Sequence, residues 1–206
     1  MNWDQQYKDG QGRYWPAEEL VRFLGRHYGS VIEQNAAGLT AVEIGCGVGG
    51  NIRALAEWGF FTHGLELSSE AIRLGKVYAK RCGFESLVQY TQYKAPAAIK
   101  LPAKSVHVVI DAQTIQHLNV ESHEAMYREV HRILSDHGRF FSIHWCNGVV
   151  AWQIFPQHKE LYQWNNILDI LQLVRKSGLD VQYKEVVSKT YDAHVGCWVV
   201  MEAVKA

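Results

Sequence analysis

Two periods of hydrophobicity alternate along this chain. Stretches with apolar residues at helical spacing run to a glycine, and a short β-branched or aromatic run follows. The unit recurs at Gly59 before FFTHGLEL, Gly83 before FESLVQY, Gly138 before RFFSIHW and Gly178 before LDVQYKEVV. Glycine just past a helix end supplies the left-handed residue that turns the chain back, and runs of this kind form strands. Helix then strand, repeated, predicts an α/β layered fold with a mainly parallel sheet.

The helices can be placed coarsely. Pro16 suits a first helical turn, with Leu20, Leu24, Tyr28 and Ile32 recurring after it at helical spacing. Further helices are expected over 49–58 and 69–82, over 121–137 with Met126, Val130 and Ile133 inward, and over 159–177 with Leu161, Trp164, Leu168, Leu171 and Val174 inward. Strands are expected near 39–44, 61–66, 87–91, 106–111, 139–145, 180–187 and 196–203. The last two have only a short connection between them, so they read as a hairpin with one strand antiparallel to the rest. No repeat or Pro/Gly-rich linker interrupts the pattern, and 206 residues are expected to form one domain. Its parts would be an N-terminal lid and helix over 1–37, a core over 38–145, a connection over 146–160, and a helix with the strand hairpin over 161–206.

Composition narrows the partners. The chain carries 21 Lys plus Arg against 21 Asp plus Glu, which leaves no overall field to hold nucleic acid. No apolar run reaches the ~18 residues that cross a bilayer, and the polar start MNWDQQYKDG is unlike a signal peptide. The four cysteines, at 46, 82, 146 and 197, show no CxxC pairing. Free thiols in a reducing cytoplasm are the simplest account of them.

The most informative stretch is VEIGCGVGGN, residues 42–51, where a strand runs into a glycine-rich turn and then a helix. Glycines there allow a tight turn and close approach to backbone, and the helix start offers free N–H groups. Gly45, Gly47 and Gly50 also satisfy the dinucleotide fingerprint, with Glu66 at the offset of a ribose-binding acid. Glu43 separates the readings. A carboxylate at this strand end opposes a pyrophosphate by like-charge repulsion and favours a ligand carrying an ammonium group. S-adenosylmethionine has that ammonium, a sulfonium and no phosphate.

VEIGCGVGGN, Glu66, the segment VVIDAQTIQHL (108–118) and the terminal strand pair together resemble class I S-adenosylmethionine-dependent methyltransferases. The resemblance implies a Rossmann-like three-layer sandwich whose seven-stranded, mainly parallel sheet has the order 3-2-1-4-5-7-6, with the last strand antiparallel. It implies S-adenosylmethionine as cofactor and S-adenosylhomocysteine as product. Glu43, Gly45, Gly47 and Gly49 would lie under the methionine half, with Cys46 and Asn51 beside them; Glu66 would hold the ribose and Leu67 would flank adenine. Relatives often place an acid after strand three, whereas this chain reads Gln92-Tyr93-Lys94-Ala95, which leaves Gln92 and Lys94 for the adenine contact. Asp111, Ala112 and Gln113 would face the cofactor from the end of strand four.

Methyl transfer needs alignment, exclusion of water and, for a hydroxyl acceptor, a base. His117 and His144 are the candidate bases, since an imidazole titrates near neutrality and both follow strand ends that border the expected cleft. Each has a structural alternative as a packed, hydrogen-bonded histidine. His123, His131 and His137 share no tight helical face, and no acid-amide pair follows strand five, so metal-free chemistry is expected. Tyr7, Tyr14 and Trp15 in the N-terminal arm, with Trp145 and Trp152 near the connection, are candidate walls of a substrate pocket.

The leading expectation is a cytoplasmic enzyme, monomer or homodimer, that methylates an oxygen or nitrogen nucleophile of a small molecule, with neither nucleic acid nor membrane as partner. The alternatives are a protein or RNA methyltransferase and a methyltransferase-fold protein that binds cofactor without turnover. A nicotinamide dehydrogenase has only the glycines in its favour.

Overall fold

A computed structural model of the protein describes residues 2–33, 38–146, 167–191 and 194–205. Its strands form one seven-stranded sheet in the order β3-β2-β1-β4-β5-β7-β6, as the family resemblance implied. By internal contacts the chain divides into two compact units. One comprises 1–94 with 106–110, the other 95–105 with 111–206.

The first unit contains α1 (Trp3–Lys8), α2 (Glu18–Glu33), β1 (Thr40–Ile44), α3 (Gly50–Glu57), β2 (Phe61–Glu66), α4 (Ser69–Cys82), β3 (Val88–Gln92) and most of β4 (Val106–Ala112). β1 pairs with β2, and β2 with β3, all parallel. Ala41, Val42 and Ile44 of β1 are fully buried, as a near-continuous apolar strand of a covered parallel sheet should be. Leu20, Phe23 and Leu24 of α2 are equally buried, and Tyr28 meets Phe60 edge-on with ring centroids 5.1 Å apart. Helix α4 has both ends closed by local chemistry. The Ser68 hydroxyl accepts the Ala71 N–H, and Gly83 takes the left-handed conformation (φ 76°) at the far end.

The second unit contains α5 (Val120–Ile133), β5 (Leu134–Trp145), α6 (Ile167–Lys176), β6 (Leu179–Tyr191) and β7 (His194–Lys205). β7 runs antiparallel to both β5 and β6. Met126, Tyr127, Val130 and Ile133 of α5 are fully buried, as are Phe140 and Phe141 of β5. Arg132 ties the 95–105 segment to α5 by donating to the carbonyls of Ile99 (2.9 Å) and Leu101 (3.0 Å), while Glu129 accepts the Ile99 N–H at 2.6 Å.

The observed elements depart from expectation at identifiable places. A short helix, α1, precedes α2; at 6 residues it is too brief for a hydrophobic period to register. α2 begins at Glu18, two residues beyond Pro16, after Ala17 accepts the first helical N–H groups. α5 ends at Ile133 and not at 137, and β5 begins at Leu134, ahead of the expected 139. Gly138 does not end the helix, and the left-handed residue there is His137 (φ 64°). The last carbonyls of α5 are satisfied by other chain segments. Lys104 N–H bonds Arg132 O, Ser105 N–H bonds Ile133 O, and the Lys205 ammonium donates to His131 O and Leu134 O, each at 2.7 Å. Leu168, expected inward, is 71% exposed, because α6 buries the stripe Ile170–Leu171–Val174 and Leu168 lies roughly a quarter-turn or more from it. Leu161 and Trp164 fall outside the described residues.

Lys205 is buried, and its ammonium joins two elements through main-chain acceptors. Lys205→Met should leave two carbonyls short of a donor and cost ~1–3 kcal/mol in urea unfolding. An unchanged midpoint would show that water replaces the ammonium there.

Candidate active site

The glycine turn after β1 occupies the first unit. Gly45 (φ 68°), Gly47 (φ 53°) and Gly49 (φ 92°) all take the left-handed conformation that disfavours other residues. Gly45 and Cys46 N–H both donate to Leu65 O of β2, at 2.7 and 3.1 Å, so the turn is fixed on the sheet. Glu66 then clamps it: one carboxylate oxygen accepts Gly47 N–H and the other accepts Ser68 N–H, each at 2.8 Å. Each oxygen retains acceptor capacity beyond that one bond, which suits a vicinal diol.

Glu43 is buried at the end of β1, and its Oε1 accepts the Asn51 side-chain amide at 2.7 Å. The other end of Asn51 accepts Ala17 N–H at 2.9 Å. Asn51, expected beside the cofactor, therefore joins the strand-end acid to the N-terminal segment. The two acids project a negative field over the turn. Burial pushes the Tyr7 hydroxyl well above its usual pKa, and the charges of Glu66 and Glu43 add to that shift. The buried Cys46 thiol is raised for the same reasons. Such a field favours a cationic ligand.

Much of the close approach that these glycines permit is made by the chain itself. A Cβ on Gly47 would lie 2.8 Å from the Tyr7 hydroxyl, and one on Gly49 would overlap the Tyr90 hydroxyl. A Cβ on Gly50 would lie 2.5 Å from Arg13 O and 2.8 Å from Trp15 O. The N-terminal segment is thus laid along the turn. Asp4 secures it by accepting Ser68 Oγ–H and Glu70 N–H at the start of α4.

The proposed pocket aromatics are distributed unevenly. Tyr7 is over the glycine turn. Tyr14 packs edge-on against Tyr78 of α4 with ring centroids 5.2 Å apart, and Trp15, 66% exposed, receives the Arg53 guanidinium at 4.5 Å. These contacts fasten the arm to α3 and α4. At the end of β2, Leu67 is 43% exposed and its carbonyl accepts the Gln92 amide at 3.1 Å, while Lys94 lies exposed nearby in sequence.

The second unit holds the remaining candidates. Asp111, fully buried, accepts Thr114 N–H (2.9 Å), Ile115 N–H (3.0 Å) and Ser142 Oγ–H (3.0 Å), and its Oδ2 lies 3.1 Å from His144 Nε2. Burial alone would raise this carboxyl, but the bonds from His144, Ile115 and Thr114 outweigh it and hold the pKa below the usual carboxylate value. His144 is also fully buried, and the same Nε2 meets the Tyr127 hydroxyl at 3.0 Å. His117 differs: it is exposed on the turn after β4, and desolvation by its surroundings lowers its pKa against the opposing charge of Asp111.

Ala112 is half-buried, and Gln113 adopts a left-handed φ of 70° while its N–H bonds Ile143 O at 2.9 Å. Gln116 accepts Trp145 N–H at 2.7 Å, which ties this turn to the end of β5, where Trp145 is 41% exposed. Trp152 lies outside the described residues. Sequence reasoning missed Tyr127 and Gln116, since each acts through a partner on another element. Among the described residues no group of His, Cys, Asp and Glu could hold a metal ion.

A glycine turn under paired acids at the head of a 3-2-1-4-5-7-6 sheet defines a Rossmann-like fold for a nucleoside ligand. The family model described as "Methyltransferase domain" matches residues 41–138. Over that segment, just under half of the chain, the sequence is similar to methyltransferase domains, consistent with the class I S-adenosylmethionine-dependent methyltransferases. It is 25% identical over 154 residues to the sterol 24-C-methyltransferase of Eremothecium gossypii, a match covering 72% of this chain and 40% of that protein. The chain therefore spans about two fifths of the curated relative it matches.

Among solved structures, the geranyl diphosphate C-methyltransferase of Streptomyces coelicolor A3(2), with S-adenosyl-L-homocysteine bound, superposes with a TM-score of 0.69 at 18% identity. That match covers 90% of this chain and 75% of the other. The cyclase SpnF superposes with a TM-score of 0.70 at 15% identity, covering 94% and 86%.

Gly50→Ala should drive a methyl into the main chain of residues 13–15 and cost ~1–3 kcal/mol of stability. The altered protein should also be cut faster by protease within residues 9–17 at native conditions. Unchanged cleavage there would mean that the arm does not depend on this packing.

Proposed function

We propose that the protein methylates an oxygen or nitrogen nucleophile of a small molecule, with S-adenosylmethionine held on the turn after β1. The observation that carries this reading is the pair of carboxylates, Glu43 and Glu66, fixed by Asn51 and by Gly47 N–H around left-handed glycines. Their field suits an ammonium and a sulfonium and disfavours a pyrophosphate. Glu66 has acceptor capacity for both ribose hydroxyls, and Leu67 offers an exposed apolar surface for adenine. The cofactor, when bound, supplies an electrophilic methyl group for in-line displacement.

The chain's own residues then bind, orient and deprotonate. Glu43 receives the ammonium, and Glu66 holds the ribose. Tyr7 and the arm it belongs to shield the turn from water. His117 serves as the base, because it combines an exposed ring with a pKa held below that of free histidine, so it is neutral and proton-accepting at pH 7. His144 supports Asp111 in this assignment, since its ring is fully buried and its Nε2 faces Asp111 and Tyr127. An amine acceptor arriving neutral needs alignment alone.

A second reading has a specific observation behind it. The sterol and geranyl diphosphate relatives are C-methyltransferases by name, so a carbon acceptor is the alternative to test beside oxygen and nitrogen. One solved structure of similar fold is named a cyclase, and one fold hosts many activities, so methyl transfer is assayed apart from cofactor binding.

Glu43→Gln should weaken S-adenosylmethionine at least tenfold by calorimetry while leaving the fold intact by circular dichroism. Equal affinity would remove the ammonium assignment. With a hydroxyl acceptor, His117→Ala should lower kcat/KM by ~10²–10⁴ and abolish the acid limb of the pH profile. In the native enzyme that limb should fall as pH drops through a value below the ~6.5 of free histidine, because the lowered pKa keeps the base unprotonated further into acid. An unaltered profile would transfer the base role elsewhere.

A further inference from the structure

Cys146, the residue after the end of β5, faces Cys197 near the start of β7, inside the second unit. The strand register pairs Trp145 with Trp198, so the next rung brings the two cysteines opposite each other. Cys146 N–H donates to Cys197 O at 3.1 Å, and the two sulfurs are 3.5 Å apart. In a hydrogen-bonded antiparallel rung the Cα atoms stand about 5.5 Å apart, which falls within the span a disulfide bridges. Closing the sulfurs to bonding distance (about 2.05 Å) then requires side-chain rotation of about 1.5 Å and no new strand register. The other two cysteines, Cys46 and Cys82, lie in the first unit.

We propose that Cys146 and Cys197 are a reversible oxidation site, closing to a disulfide under a small hydroperoxide or a low-molecular-weight disulfide and reopening with a thiol reductant. Cys197, at 9% exposure, is the sulfur a small oxidant reaches first, since Cys146 is 1% exposed. With hydrogen peroxide, the Cys197 sulfur is oxidised to a sulfenic acid and one water leaves; an organic hydroperoxide leaves as its alcohol instead. The Cys146 sulfur then attacks it, forming the S–S bond and releasing a second water, with the two thiol hydrogens accounted for. With a disulfide oxidant, the mixed disulfide on Cys197 is displaced by Cys146, and two small thiols leave.

Burial, reinforced by the bond to Cys197, raises the Cys146 thiol pKa, so its thiolate is scarce and closure is slow at neutral pH. That resistance suits a site that responds to sustained oxidation and ignores a brief pulse. The two positions are 51 residues apart in sequence, and a crosslink closing so long a loop stabilises the folded chain.

The test treats the full chain with dithiothreitol, hydrogen peroxide or oxidised glutathione, denatures it, alkylates with iodoacetamide and maps the peptides by mass. The reduced chain should carry four alkylated cysteines, and the oxidised chain two, at Cys46 and Cys82, with one linked peptide joining Cys146 to Cys197. The oxidised chain should melt several degrees higher and return to the starting value after reduction. Cys82→Ser, which changes an exposed residue, should still lose two thiols on oxidation. Four alkylated cysteines after oxidation would overturn the proposal, as would a linked peptide involving Cys46 or Cys82. The readout is independent of cofactor binding, so it stands or falls apart from the proposed methyl transfer.

Discussion

The first unit is organised by one buried hydrogen bond, from the Asn51 amide to the Glu43 carboxylate. A carboxylate at 2% exposure is costly to bury without a donor, so the bond fixes where α3 begins relative to the end of β1. The same amide group takes the Ala17 N–H, which sets the start of α2. Strand, glycine turn, helix and N-terminal arm therefore share a single polar junction. Glu66 acts on the far side of the turn through Gly47 and Ser68, so the loop is held from two strands at once. Buried polar networks of this kind favour one arrangement because rearranging them strips buried groups of their partners.

The second unit uses a comparable device with different chemistry. Asp111 gathers two main-chain N–H groups, a serine hydroxyl and an imidazole, and the Tyr127 hydroxyl completes the set from α5. This holds the turn after β4 in a shape that includes a left-handed Gln113, a conformation that costs energy for a residue with a side chain. His117 stands at the open end of that turn. A buried acid–imidazole–phenol set together with an exposed histidine would suit a division between positioning groups and the proposed base.

Most of the strand plan was legible because each strand is flanked by a residue that breaks the helical period. β2 coincides with its expectation over 61–66, and α4 does over 69–82, where Ser68 and Gly83 close both ends. The junction of α5 and β5 was misread because its helix end is satisfied by Lys104, Ser105 and Lys205, residues remote in sequence. A glycine rule cannot anticipate such partners. In the site, acids and glycines were visible as a motif, yet the motif does not say which glycine meets ligand and which meets chain. Gly50 is required by the carbonyls of Arg13 and Trp15, and Gly49 by Tyr90. Tyr127 carries no local signature, since its polar role exists only when α5 packs beside β5.

The arm over the glycine turn has a kinetic consequence. Tyr7 of α1 stands against Gly47, so a ligand seated on the turn as proposed would share that surface with the arm. α1 has no fully buried residue, and its hold on α4 rests on the bonds to Asp4, so its release is a local event far cheaper than unfolding the sheet. Release of α1 would then uncover the turn while the sheet beneath it stays folded.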